Sequence, residues 1–213
     1  MIVLGLDTCL NACSVAVIDG ETVLAHASEA MARGHQERLA PMAQAVMAEA
    51  GLSFDRLERI GATVGPGSFT GLRVGVAFAK GLGSALDVPA VGVGALEALA
   101  AGTQGLVAAV IDARRDQAYL QVFDDGHALM APDVLPIGVA AARLAELSMG
   151  RPLTLVGSGA PLLADVAPGA VILTPEGCDA RHVARLAAAR AATPIRPLYL
   201  RAPDAKLPGG RDP

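Results

Sequence analysis

Two spacings of apolar residues alternate along this chain, and the places where one gives way to the other mark its elements. Residues 2 to 6 are a continuous apolar run, the pattern of a buried strand, ending at Asp7 and a turn through Asn11. Cys13 to Ile18 returns as a second strand, and Asp19-Gly20 is a hairpin turn into a third strand from Thr22 to about Ser28. Leu39, Met42, Ala43, Val46, Met47 and Ala50 then follow helical spacing over residues 35 to 50, closed by Gly51. A strand at Ile60 to Val64 leads through Gly65-Pro66-Gly67-Ser68-Phe69-Thr70-Gly71-Leu72-Arg73 into a helix reaching about Leu86. A short strand near 90 to 93 and a helix over 95 to 101 complete a β-β-β-α-β-α-β-α unit.

The pattern then begins again. Leu106 to Asp112 is an apolar strand ending in Asp, as residues 2 to 7 are, and Gln117 to Phe123, a turn at 124 to 126 and a return at His127 to Met130 follow. Helical spacing over 139 to 147 and 179 to 191 flanks a strand at 153 to 156. The order of elements indicates an internal duplication of a β-β-β-α-β-α unit with a degenerate second copy. Two such copies form the two-lobed α/β architecture shared by actin, Hsp70 and the sugar kinases (the ASKHA fold). The expected division is a first lobe over 1–103 and a degenerate second lobe over 104–201. An extended or disordered tail is expected over 202–213, rich in Pro and Gly.

Composition narrows the chemistry. The chain has 213 residues, 53% of them hydrophobic, enough for a sizeable core. Seventeen basic against 21 acidic residues give a formal net charge of −4, so nothing global draws it to nucleic acid, and a tRNA contact would need a partner or a local patch. Trp is absent and aromatics are 3%, so the core is built from small aliphatic side chains. Three cysteines form neither a metal pattern nor an even disulfide framework, which fits a reducing compartment. The first residues lack a basic leader and no long apolar run spans a membrane, so a cytoplasmic location with no membrane partner is expected.

Several residues are candidates for chemistry. A carboxylate at a strand end can orient a metal ion or its waters while the following hairpin offers hydroxyls to phosphate, which singles out Asp7, Thr8 and Ser14, and Asp112 in the second half. The corner from Gly65 to Arg73 has two readings. Gly67 and Ser68 open a helix N-terminus, a natural anion site, but a glycine turn with a Ser N-cap is also simply how a helix begins. Arg73, a cation where the helix dipole disfavours one, is expected to pair with Asp7 or Glu97, an interfacial anion being the other reading. His35 lacks a second histidine one turn away, so no metal site is expected, and no P-loop occurs. Gly71, Gly75, Ala79 and Gly83 recur every fourth residue, which leaves a shallow groove that another helix, from this domain or a partner, could enter.

Asp7-Thr8, the run Gly65 to Arg73, Asp112-Ala113-Arg114-Arg115 with Tyr119, and Tyr199-Leu200-Arg201-Ala202-Pro203, in this order, resemble the TsaB (YeaZ) family over essentially the whole chain. The resemblance implies a subunit with no catalytic residues of its own. It would be required for N6-threonylcarbamoyladenosine at position 37 of tRNA, binding the catalytic paralogue TsaD and working with the ATPase TsaE. It places the partner interface on the first two helices, at His35, Leu39, Met42, Val46, Gly71, Gly75, Ala79 and Gly83, with a homodimer formed when TsaD is absent. It implies no cofactor bound by this subunit alone, ATP and magnesium entering at the level of the complex, and tRNA reached only through that complex. Asp7, Thr8, Gly67, Ser68 and Arg73 remain the nucleotide or anion candidates. Cys9 stands where the family usually has Ser, which removes a hydroxyl from any phosphate role. The rival expectation is an ATP-binding enzyme of the same fold, an ATPase or phosphotransferase using the interlobe cleft.

Overall fold

A computed structural model describes residues 1–201, so the expectation for the tail at 202–213 lies outside the described residues. The first sheet comprises β1 (Ile2–Asp7), β2 (Ala12–Asp19), β3 (Thr22–Ala30), β4 (Arg59–Thr63) and β5 (Ala90–Val93), in the order β3-β2-β1-β4-β5. The first three strands are antiparallel, whereas β4 and β5 extend the sheet in parallel from β1. Parallel neighbours need crossovers, supplied by α1 (His35–Glu49) before β4 and α2 (Phe69–Leu86) before β5.

Helices cover both faces of this sheet, which is why β1 is apolar throughout instead of alternating. On one side lie α1 and α2; on the other lies α5 (Ala180–Ala189), packed on β1, β2 and β4. Its approach depends on two glycines. A Cβ on Gly5 would sit 2.7 Å from the Ala184 amide, and one on Gly61 would sit 2.5 Å from the Ala187 methyl.

The second sheet comprises β6 (Leu106–Arg114), β7 (Gln117–Asp124), β8 (His127–Ala128), β9 (Asp133–Pro136), β10 (Leu153–Val156) and β11 (Val171–Leu173). Its order is β11-β10-β6-β7-β8, with β9 also pairing with β7, and β10 runs parallel to both β6 and β11. Two antiparallel strands on one side of a first strand and two parallel strands on the other repeat the first lobe, so the duplication and the actin-like α/β fold both stand. The second copy is degenerate where expected: a 3-10 turn over 160–166 replaces the 18-residue α2, while α4 (Ile137–Ser148) parallels α1.

The two halves of the sequence do not separate cleanly. Helix α5, from the second half, is a layer of the first lobe; α3 (Ala95–Ala100) packs on β6 and β7 of the second sheet and against α5, and an extended strap follows α5 over 191–199. The strap is tied to the end of the first sheet by the Leu198 amide, which donates to the Val64 carbonyl at 2.7 Å.

Candidate functional site

The strand end at Asp7 and the glycine corner before α2 are folded onto each other. Asp7 is fully buried, and its carboxylate accepts from the Thr63 hydroxyl at 2.6 Å, the Cys9 amide at 3.0 Å and the Cys178 amide at 2.8 Å. Burial pushes its carboxyl above the usual range, and these three donors pull against that shift. The Thr8 hydroxyl donates to the Gly71 carbonyl at 2.7 Å, and the Ser68 amide to the Cys9 carbonyl at 2.7 Å. Side chains at Gly67 and Gly71 would collide with the carbonyl oxygens of Cys9 and Thr8. Ser68 caps α2 as expected, accepting from the Gly71 amide at 3.3 Å.

These contacts are what the packing reading of the corner describes. Asp7, Thr8 and Gly67 do come together, but each is turned onto backbone or side chain of this chain, and the glycines accommodate the 7–9 turn where a phosphate was one expectation. The second lobe has a looser version of the same joint. Asp112 accepts from the Arg114 amide and pairs with its guanidinium at 2.9 Å, while the Asp112 amide donates to the Ser158 hydroxyl at 3.2 Å. Gly159 lies where a Cβ would be 2.9 Å from that same amide.

Beside the joint sit Cys9, Cys13 and Cys178, all buried and free. Burial and the neighbouring Asp7 raise their thiols, that of Cys13 to about 11, so none has thiolate character near neutrality. His35 is buried with its Nε2 unpartnered. Among the described residues no group of three or more His, Cys, Asp or Glu is placed to hold a metal ion.

Arg73 pairs with neither expected carboxylate. Asp7 is sealed, and Glu97 is taken by Arg190. The Arg73 guanidinium instead lies 3.7 Å over the Phe69 ring centroid, and its Nε donates to the Tyr199 hydroxyl at 3.4 Å. The rings of Phe69 and Tyr199 are 5.5 Å apart, and the two residues are 43% and 47% exposed. Two of the runs that carry the family resemblance therefore meet at the surface.

The eight residues expected at a partner interface are buried within the chain: His35, Leu39, Met42 and Val46 on α1, and Gly71, Gly75, Ala79 and Gly83 on α2. Of the two uses open to the small-residue face of α2, this is packing within the chain's own lobe. The small residues let α2 sit against its own lobe, with a Cβ at Gly75 2.6 Å from Thr8 Oγ1 and one at Gly83 2.9 Å from the Val88 carbonyl. What the two packed helices present outward is the opposite set, Ala40, Pro41, Gln44 and Ala45 from α1 and Ala77, Gly81 and Ala85 from α2, with Phe78 half-buried beside them.

No helix among the described residues is long and apolar enough to cross a membrane. The family model described as TsaD, tRNA N6-adenosine threonylcarbamoyltransferase, matches residues 23–135. An uncharacterized protein of Mycobacterium tuberculosis is 34% identical over 96% of this chain and 93% of its own length. The tRNA threonylcarbamoyladenosine biosynthesis protein TsaB of Bacillus subtilis is 31% identical over 74% of this chain and 71% of its own. Among solved structures, YeaZ from Pseudomonas aeruginosa superposes with a TM-score of 0.77 at 30% identity, covering 88% of this chain and 90% of that one. The 2-hydroxyisocaproyl-CoA dehydratase activator of Clostridium difficile, at 12% identity and a TM-score of 0.52, shares the fold.

Proposed function

The chain belongs to the TsaB (YeaZ) family, and from that premise we propose that it serves the biosynthesis of threonylcarbamoyladenosine in tRNA as a non-catalytic subunit. In this reading it binds a TsaD-type catalytic paralogue, works with TsaE, pairs with itself when TsaD is absent, and acts in the cytoplasm. ATP and magnesium belong to the assembled complex.

The observation that carries the non-catalytic reading is the sealed carboxylate of Asp7. A strand-end aspartate that orients metal and phosphate needs its oxygens open to the cleft, whereas both oxygens here are engaged by Thr63, Cys9 and Cys178. The glycine corner is likewise filled by the Cys9 and Thr8 carbonyls. The partner surface is drawn on the outward faces of α1 and α2, where Ala45, Ala77, Gly81 and Ala85 form a strip of small, uncharged and exposed residues, with Arg73 one turn before Ala77 and Lys80 one turn after it. Small side chains of this kind let a second helix pair approach closely.

The test mixes the chain with TsaD and TsaE and follows threonylcarbamoyl transfer to tRNA with and without it. Activity lost on omission, with none from the chain alone, is the expected result; undiminished transfer without it rejects the subunit role. Calorimetry of the isolated chain against magnesium-ATP at millimolar concentration should give no binding heat, and a saturable isotherm would revive the rival ATP-binding enzyme.

A further inference from the structure

One edge of α2 concentrates features that the other described residues of this acidic chain lack. Phe69 and Tyr199 are both exposed, in a chain with four Phe, two Tyr and no Trp, and the Arg73 guanidinium lies against the Phe69 ring. Two turns along the helix, Lys80 falls on nearly the same face as Arg73, about 10 Å away at 1.5 Å rise per residue. Lys80 and the exposed Arg196 of the strap line one open groove of about 530 Å³, shared with Ser84, Pro194 and Asp87. The helix has no acidic residue of its own, and Asp87, just beyond its end, is the carboxylate of the groove.

Planar stacking groups beside a row of cations are complementary to an unpaired nucleotide, whose base has two apolar faces and whose phosphate carries charge. A duplex hides those faces, and an acidic peptide has no use for a stacking plane. We propose that this edge binds single-stranded RNA, one base stacking on the Phe69–Arg73–Tyr199 cluster and neighbouring phosphates resting against Lys80 and Arg196. The choice of RNA rests on the tRNA-modification reading above. The edge adjoins the apolar α1–α2 strip, with Arg73 one turn before Ala77 and Lys80 one turn after it, so RNA and a protein partner would lie side by side on this helix.

The test titrates the full chain into a fluorescein-labelled single-stranded RNA dodecamer, and into its duplex, at several salt concentrations. Tighter binding of the single strand is expected. Phe69→Ala with Tyr199→Ala should weaken it roughly tenfold with the salt slope unchanged, because stacking is not an ionic term. Lys80→Ala with Arg196→Ala should lower the slope by about 1.4, at about 0.7 per phosphate contact on a single strand. Both pairs are surface changes, and the melting temperature reports that they fold. Absent or salt-insensitive binding, equal affinity for the duplex, or variants indistinguishable from wild type would each overturn the proposal. So would loss of TsaD co-purification in the aromatic pair with RNA binding intact, which would make the cluster a protein contact. Failure of the tRNA reading shows elsewhere, as threonylcarbamoyl transfer that continues when the chain is omitted.

Discussion

Thr8 donates its hydroxyl to the carbonyl of Gly71 at 2.7 Å, across 63 residues of sequence, and so ties the turn after the first strand to the first turn of α2. The same hydroxyl oxygen lies 2.6 Å from where a Cβ on Gly75 would stand. Gly75→Leu should therefore unfold the first lobe outright, and even Gly75→Ala should cost stability by forcing Thr8 off its bond. Gly81, on the same helix, has nothing within 4 Å, so Gly81→Ala should stabilise by about 0.5–1 kcal/mol through helix propensity alone. Chemical denaturation of both variants checks the opposite signs; destabilisation by Gly81→Ala would show that position to be packed.

Partner binding should be sensitive on the other side of the helices. Ala77 is exposed on α2, in line with Gly81 and close to Phe78. Gly81→Glu puts a carboxylate into the strip with Ala77, Phe78, Ser84 and Ala85 one turn away and no cation among them, and should abolish co-purification with TsaD, and self-association, without lowering the melting temperature. A charge buried in an interface without a partner costs several kcal/mol, enough to erase a micromolar complex. An intact complex would move the partner surface elsewhere.

Much of this could be read in the chain beforehand, for reasons that differ by element. The strand-turn-helix runs stand out because their apolar periods are long and their punctuation, Asp19-Gly20 and Gly51, is strong. Strand β9 escapes because it begins at an Asp and is bracketed by Pro132 and Pro136, which read as a turn, and β11 because it is three exposed residues with no alternation. Four-residue spacing of small side chains looks the same whether a helix packs inward or outward, so Gly71, Gly75, Ala79 and Gly83 were legible as a packing face but not as an internal one. The Arg73 contact was out of reach for another reason: Tyr199 is 126 positions away, and the strap that carries it has no period at all. The seal on Asp7 draws on Thr63 and Cys178, and the Cys178 amide, a backbone donor in a loop, leaves no mark in the sequence.

Arg59 fastens α5 to the first sheet. Its Nη1 donates to the carbonyls of Ala187 at 2.8 Å, Ala188 at 3.2 Å and Arg190 at 2.5 Å, capping the C-terminal end of the helix from β4. A guanidinium there also complements the negative end of the helix dipole. Arg59→Met keeps the stem but orphans those carbonyls, and should cost about 2–3 kcal/mol, at the upper end for a charged hydrogen bond. Hydrogen exchange should quicken first in the last turn of α5; uniform protection would mean that packing of Ala184 and Ala187 suffices.

The buried carboxyl of Asp7 gives stability a particular pH dependence. Its folded pKa is raised above the usual carboxylate range, chiefly by burial, so the folded state holds its proton more tightly than the unfolded chain does. The associated stability is fully present below the unfolded value and is lost as pH rises through the folded one. Asp7→Asn removes that titration. It also presents an NH2 group toward the Cys178 or Cys9 amide, two donors face to face, which should cost about 1–3 kcal/mol at every pH. The difference between wild type and variant, from urea unfolding at intervals between pH 3 and 8, should be largest at the acid end and shrink as pH rises. A difference that grows with pH would mean that the three donors outweigh burial and hold Asp7 ionised.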